Sequence, residues 1–124
     1  MFEVASPKRV YFLGASRKNI RAFPEDVRVD MGYALFQVQN GAKPVSAKPL
    51  KGFGGSGVLE IIENFDGSTY RAVYTIKFLQ CIYVLHCFQK KSKHGIATPQ
   101  KEIELVRQRF KMATEHYRSN YGVL

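Results

Sequence analysis

The stretch on which the fold turns is "VLEIIENFDGSTYRAVYTIKFLQCIYVLHCFQ", residues 58–89. It holds three runs rich in β-branched and aromatic residues, 58–65, 69–78 and 81–89. Asp66-Gly67 separates the first two, and that dipeptide tolerates the positive φ angles of a two-residue hairpin turn. Leu79-Gln80 offers a tight connection to the third run. The reading is a three-strand antiparallel meander. Its third strand is apolar on both alternating faces, which predicts an interior rather than an edge position.

Outward from the meander, the flanking segments read as helices. "RVYFLG" (9–14) is a short strand closed by Gly14, and Ser16 is placed to cap a short helix over 17–23 that Pro24 interrupts. From Pro24, residues Val27, Met31, Ala34, Leu35 and Val38 share one helical face, and Asn40-Gly41 ends the pattern. Downstream of the meander, Thr98 is expected to cap a last helix with Pro99 at its first position. Ile103, Val106, Phe110, Ala113 and Tyr117 form its sheet-facing stripe, and Arg107, Arg109, Lys111 and Arg118 are left outward. The expected architecture is α+β: one domain over 1–124, with a mostly antiparallel sheet, N-terminal helices and one C-terminal helix packed on it.

Charge bounds the function. The 124 residues carry a formal net charge of +9, which favours a polyanion or an acidic protein as partner. No apolar run is long enough to span a bilayer and no basic-then-apolar leader opens the chain, so a cytoplasmic protein is expected. Cys81 and Cys87, on one strand, stand about 20 Å apart, beyond disulfide reach, and read as core residues. They build no metal quartet, and neither a metal nor another cofactor is expected.

"GFGGSG" (52–57) matches a phosphate-loop pattern literally. The pattern works only where a helix N-terminus follows it, and here a strand follows. A flexible loop is the better reading.

The chemistry-bearing residues are basic. Lys48 and Lys51 precede the meander, and Arg71 lies inside its second strand, where it must snorkel, pair or face a ligand. By alternation Arg71 shares a face with Val73, Thr75 and Lys77, while Tyr70, Ala72, Tyr74 and Ile76 look more like core. Lys90, Lys91, Lys93 and His94 crowd the end of the third strand. Such a run is usually a solvated surface. The meander brings that end near the start of the second strand, where lysines could converge on Arg71 with no carboxylate close by in sequence. A cleft of this kind suits a phosphodiester. His86, mid-strand, reads as a satisfied core histidine.

"PLKGFGGSGVLEI", "YRAVYTI" and "YVLHCFQKKSKHGIATPQKEIELVRQR" closely resemble the Gp49-like, HigB-type branch of the RelE toxin superfamily, over about residues 43 to 118. The resemblance implies a small RelE-like domain that acts as the toxin of a type II toxin–antitoxin pair. It implies a metal-independent endoribonuclease that cuts mRNA on the ribosome through attack of the ribose 2′-OH. It implies ribosomal RNA contacts and a helix-turn-helix antitoxin as partner. It casts Arg71 as the stabiliser of transition-state charge, Lys90 and Lys91 as phosphate ligands, and Lys48 and Lys51 as phosphate ligands or base. Lys93 and Arg107 join the RNA-binding set. For the general acid only His94, then His116 and Tyr117, offer themselves. Two other classes stay open: an RNA- or ribosome-binding domain without catalysis, and a basic protein-interaction module.

Overall fold

The computed structural model describes residues 6–91 and 98–122. They form, in chain order, β1 (Arg9–Phe12), α1 (Ser16–Arg21), α2 (Glu25–Gln39), β2 (Ala47–Pro49), β3 (Val58–Phe65), β4 (Ser68–Thr75), β5 (Cys81–Lys90) and α3 (Gln100–Tyr121). One five-stranded sheet runs in the order β1-β5-β4-β3-β2. Only the β1–β5 pair is parallel; the other three are antiparallel.

The β3–β4 hairpin closes as its turn residues dictate. Asp66 and Gly67 take φ of 47° and 80°, and Phe65 pairs with Ser68 across the two-residue loop. β5 is interior, between β1 and β4, in line with its apolar faces. β4 is shorter than its sequence run. It stops at Thr75, and the chain turns away to drop Phe78 into the core beneath α3.

The sheet carries a core on each face. Ile20, Phe23, Val27, Met31, Ala34, Leu35 and Val38 of the α1–α2 layer meet Ile61, Tyr70, Ala72, Tyr74 and Cys87. On the opposite face Ile103, Val106, Ala113 and Tyr117 of α3 meet Val58, Val73, Phe78, Tyr83 and Leu85. Both sides of β4 are therefore core, not only the Tyr70 side. Each large side chain buried this way contributes about 1.5–3 kcal/mol.

β5 changes phase once. Val73 pairs with His86 but Tyr74 pairs with Val84, so Leu85 is an extra residue in the strand. Leu85 packs in the α3 core and His86 bonds to α3, while Val84 and Cys87 pack against the other layer.

Four local expectations need correction. Pro24 and Pro99 stand one position before their helices, with extended ψ of 148°, rather than at the first helical position. Neither Ser16 nor Thr98 caps a helix. The Ser16 hydroxyl donates to the Val84 carbonyl, and Thr98 is drawn into a buried polar cluster described below. β2 lies inside a segment that reads as irregular. It is three residues long and ends in Pro49, which an edge strand accommodates and which erases any alternating signal. Finally, Arg109 does not point outward. Its Nη1 donates to the Leu85 carbonyl at 3.0 Å.

Gly14, in the turn after β1, takes φ 53°, and a Cβ there would sit 2.5 Å from the Arg109 guanidinium. Left-handed backbone costs an L-residue about 1–2 kcal/mol even without a clash. Gly14→Ala is expected to lower stability by at least that amount in urea unfolding. An unchanged midpoint would show that this turn relaxes freely.

Candidate nucleic-acid interface

Glu60 and Arg71 project toward α3 from neighbouring strands. Arg71 lies opposite Ile62, so Glu60 is its diagonal neighbour on the same face. The Arg71 Nη1 donates to both Glu60 carboxylate oxygens, at 3.1 and 3.2 Å. It also donates to the Thr98 hydroxyl at 3.0 Å, and that hydroxyl donates to Glu60 Oε2 at 2.9 Å. The cluster is deeply buried: Arg71 is 1% exposed and Glu60 3%. A buried arginine demands such a partner, because an uncompensated charge in the interior is strongly destabilising.

Above this cluster opens a cleft of about 460 Å³. Lys48 of β2 and the Leu50–Gly52 turn form one wall. Gln100, Ile103 and Arg107 of α3 form the other, with Glu60 and Thr98 between them. Lys48, Lys51 and Arg107 are exposed. The Arg107 guanidinium lies 4.8 Å from the Phe53 ring centroid, a cation–π contact that sets its place on the rim. The glycine-rich loop thus carries the shelf for a rim arginine and runs straight on into β3. The arrangement is a basic rim over a buried carboxylate.

Of the residues singled out in the sequence, Lys48, Lys51 and Arg107 line the cleft, and Arg71 lies under it, bonded to Glu60 and Thr98. Arg71 is a buried ion-pair member rather than a surface cation. Lys90 and Lys91 do not line the cleft. Lys90 pairs with Thr69 at the far end of β4, and Lys91 is exposed just beyond the strand. Lys93 and His94 lie outside the described residues. His116 accepts from or donates to the Tyr83 hydroxyl at 2.7 Å, and Tyr117 is buried on the core side of α3; neither lines the cleft. The expectation of a site without acids is overturned by Glu60. A carboxylate inside the apolar run "VLEII" was the available signal.

His86 is held, as its mid-strand position suggests. Its Nε2 bonds Glu102, its Nδ1 faces Arg109 Nη1 at 3.3 Å, and its ring stacks on Phe88 at 5.1 Å. Burial pushes its pKa below the ordinary value, Arg109 pushes the same way, and Glu102 opposes.

The chain matches the family model described as Phage derived protein Gp49-like (DUF891) over residues 18–111. The fold and cleft define a small α+β protein with a basic, carboxylate-floored groove. The protein belongs to the Gp49-like family, the one that its sequence motifs resemble. The match begins earlier and ends sooner than the span 43 to 118 read from the motifs. Among solved structures, the toxin–antitoxin complex RelBE2 from Mycobacterium tuberculosis contains a chain similar to this one. It is 17% identical, covers 68% of this chain and 100% of that one, and has a TM-score of 0.48. No curated protein sequence matches.

Two expectations follow. Glu60→Leu leaves Arg71 a buried charge without its carboxylate and is expected to destabilise by about 3–5 kcal/mol. Adding Arg71→Met should restore most of that loss, as urea unfolding of the single and double variants will read. A double variant as unstable as the sum of the singles would contradict the pairing. For His86, the folded pKa lies below the unfolded value. Its contribution to stability is therefore complete above about pH 6.5 and is lost as pH falls below it. The urea midpoint should fall between about pH 7.5 and 5.5, and His86→Asn should flatten that fall. Equal slopes for the two proteins would count against it.

Proposed function

We propose that the chain is the toxin of a type II toxin–antitoxin pair and acts as a metal-independent endoribonuclease on mRNA engaged by the ribosome. The observation that carries the reading is the cleft itself: three cations on its rim over a buried, hydrogen-bonded carboxylate. Membership of the Gp49-like family and the RelE-like motifs named above support it.

In this reading the phosphodiester rests against Lys48, Lys51 and Arg107, whose charge offsets the negative charge that grows on the phosphorane. Glu60 accepts the proton of the ribose 2′-OH. The 2′-oxygen attacks phosphorus, the bond to the 5′-oxygen breaks, and a 2′,3′-cyclic phosphate remains. Arg71 holds Glu60 in place through its hydrogen bonds to both carboxylate oxygens. The leaving 5′-oxygen needs a proton, for which His94 is the first candidate in the sequence; Lys90 and Lys91 follow the RNA backbone beyond the cleft, and Lys93 is kept as an RNA-binding residue on the sequence alone. No metal-bound water is needed, because the nucleophile is the substrate's own hydroxyl. The net charge of +9 serves association with ribosomal RNA, with affinity falling steeply as salt rises. The partner in the cell is a helix-turn-helix antitoxin, and the setting is the cytoplasm. Among the described residues no helix is long and apolar enough to cross a membrane.

A second reading, RNA or ribosome binding without cleavage, is favoured by one feature. Glu60 is already satisfied by Arg71 and Thr98, as a purely structural carboxylate would be.

Tightly repressed expression in bacteria separates the two. The wild-type chain is expected to arrest growth and to leave new 5′ ends within translated frames. Lys48→Ala combined with Lys51→Ala should cut cleavage by about 10²–10³ while the protein stays folded, since both side chains are exposed. Unimpeded growth and intact transcripts with soluble, folded wild-type protein would contradict the nuclease and leave the binding module.

A further inference from the structure

A second cleft, of about 420 Å³, opens on the other flank of α3 and is not used by the chemistry above. It lies between α1 and the start of α3, over the second half of β5. Its lining includes Asn19 of α1, Phe23 just beyond that helix, His86, Phe88 and Gln89 of β5, and Glu102 of α3. At about 100° per residue, Glu102 and Arg109 fall on one side of the buried stripe of α3, and Gln100 and Arg107 on the other. The first turn of the helix therefore divides the two clefts. They share a floor, because Phe88 pairs in register with Arg71.

The lining has a definite chemistry. Phe88 is only half-buried, and its ring lies near parallel to the His86 imidazole, at 20°, so the cleft already contains an aromatic stack. Its polar side chains bring several acceptors to the cleft. The Asn19 amide nitrogen is engaged by the Cys87 carbonyl at 2.9 Å, and that of Gln89 by the Ser68 hydroxyl at 3.0 Å. Glu102 binds His86 through Oε2. What remains for a ligand is two amide oxygens, Glu102 Oε1 and the second N–H of each amide. Beside the cleft, α1 carries Arg17, Lys18 and Arg21, all exposed, and no acid in its first turn.

An aromatic platform, an acceptor-lined wall and an adjoining basic ridge fit one nucleotide of single-stranded RNA, whose unstacked bases are recognised by stacking and by their Watson–Crick edges. The bases differ in what they offer there. Guanine presents two adjacent donors, N1–H and the 2-amino group. Adenine and cytosine place an acceptor beside their amine, and uracil flanks its one donor with carbonyls. Glu102 can only accept, so the base edge beside it must donate, and guanine alone presents two adjacent donors to Glu102 Oε1 and the Asn19 amide oxygen together.

We propose that the α1–β5–α3 cleft is a second RNA subsite, in which an unstacked guanine stacks on Phe88 and donates to Glu102 and Asn19, with a neighbouring phosphate on Lys18 and Arg21. The proposal rests on the RNA reading of the first cleft and deepens it. It gives the strand a path across the N-terminal turn of α3, from the cleaved phosphodiester to a recognised base.

The test is direct binding of the full chain to 2′-O-methyl hexanucleotides, which lack the nucleophile and stay intact. One guanine in an oligouridine is compared with one adenine, one cytosine and none, by fluorescence anisotropy at fixed salt. The guanine oligonucleotide should bind about 5- to 100-fold more tightly than oligouridine. Glu102→Gln keeps the bond to His86. By removing a negative charge it should strengthen binding to every oligonucleotide, so the guanine-to-uridine ratio is the readout, and it should collapse towards unity. Phe88→Leu, which preserves an apolar filling, should weaken all of them. Binding without base preference, or a ratio unmoved by Glu102→Gln, overturns the subsite and leaves the nuclease reading standing. Absence of binding to any oligonucleotide also overturns it, and the nuclease is then judged by transcript ends alone.

Discussion

The rest of the site depends on the buried ion pair between Arg71 and Glu60. It joins β4 to β3, and through the Thr98 hydroxyl it also fixes the residue that leads into α3. Three separate pieces of chain thereby meet at one point, and that point is the floor of the cleft. A well-packed apolar pair would hold the strands as firmly, since desolvation cancels much of the attraction between buried charges. What the pair adds is a carboxylate at a fixed position under a basic rim. It also means that truncating Arg71 probes folding as much as chemistry, whereas Lys48 and Lys51 report on the cleft alone.

α3 then organises the surface. Its buried stripe seals the second core, while its two flanks face two different clefts. On one side Arg107, braced on Phe53, meets Lys48 and Lys51. On the other, Glu102 and Arg109 hold His86, which the extra residue in β5 has turned towards the helix. A single bulge thus converts what would be a continuous apolar strand into one with a polar anchor. Of the nineteen lysines and arginines, Lys48, Lys51 and Arg107 stand on the rim of the first cleft, and Arg17, Lys18 and Arg21 lie exposed on α1.

Much of this was legible beforehand. The meander was readable because Asp66-Gly67 and β-branched periodicity agree, and the α2 and α3 core faces because their apolar spacing is unbroken. Lys48 and Lys51 were readable as phosphate-binding candidates and Arg107 as an RNA-binding residue of the last helix, but nothing in the sequence brought Arg107 to the same cleft. β2 was not, because three residues ending in proline carry no period. The roles of Ser16 and Thr98 were misread for a common reason: a hydroxyl beside a helix start resembles a cap, and tertiary partners outcompeted that local bond. Glu60 was within reach. Once the two-residue turn sets the hairpin register, residues 60 and 71 fall on the same face as diagonal neighbours, and each is a charge in need of the other. The bulge at Leu85 left no such trace, so the orientation of His86 could not be derived from alternation.

The central claim is that the cleft positions a ribose hydroxyl for attack on its own phosphate. It is tested most directly with a message carrying one 2′-deoxyribose at a mapped cleavage position, in a reconstituted translation reaction with the wild-type protein. The expected result is loss of cutting at that position alone, with 2′,3′-cyclic phosphate ends at the all-ribose sites. Cleavage at the deoxy position at an undiminished rate would contradict the claim, because the nucleophile would then have to come from elsewhere.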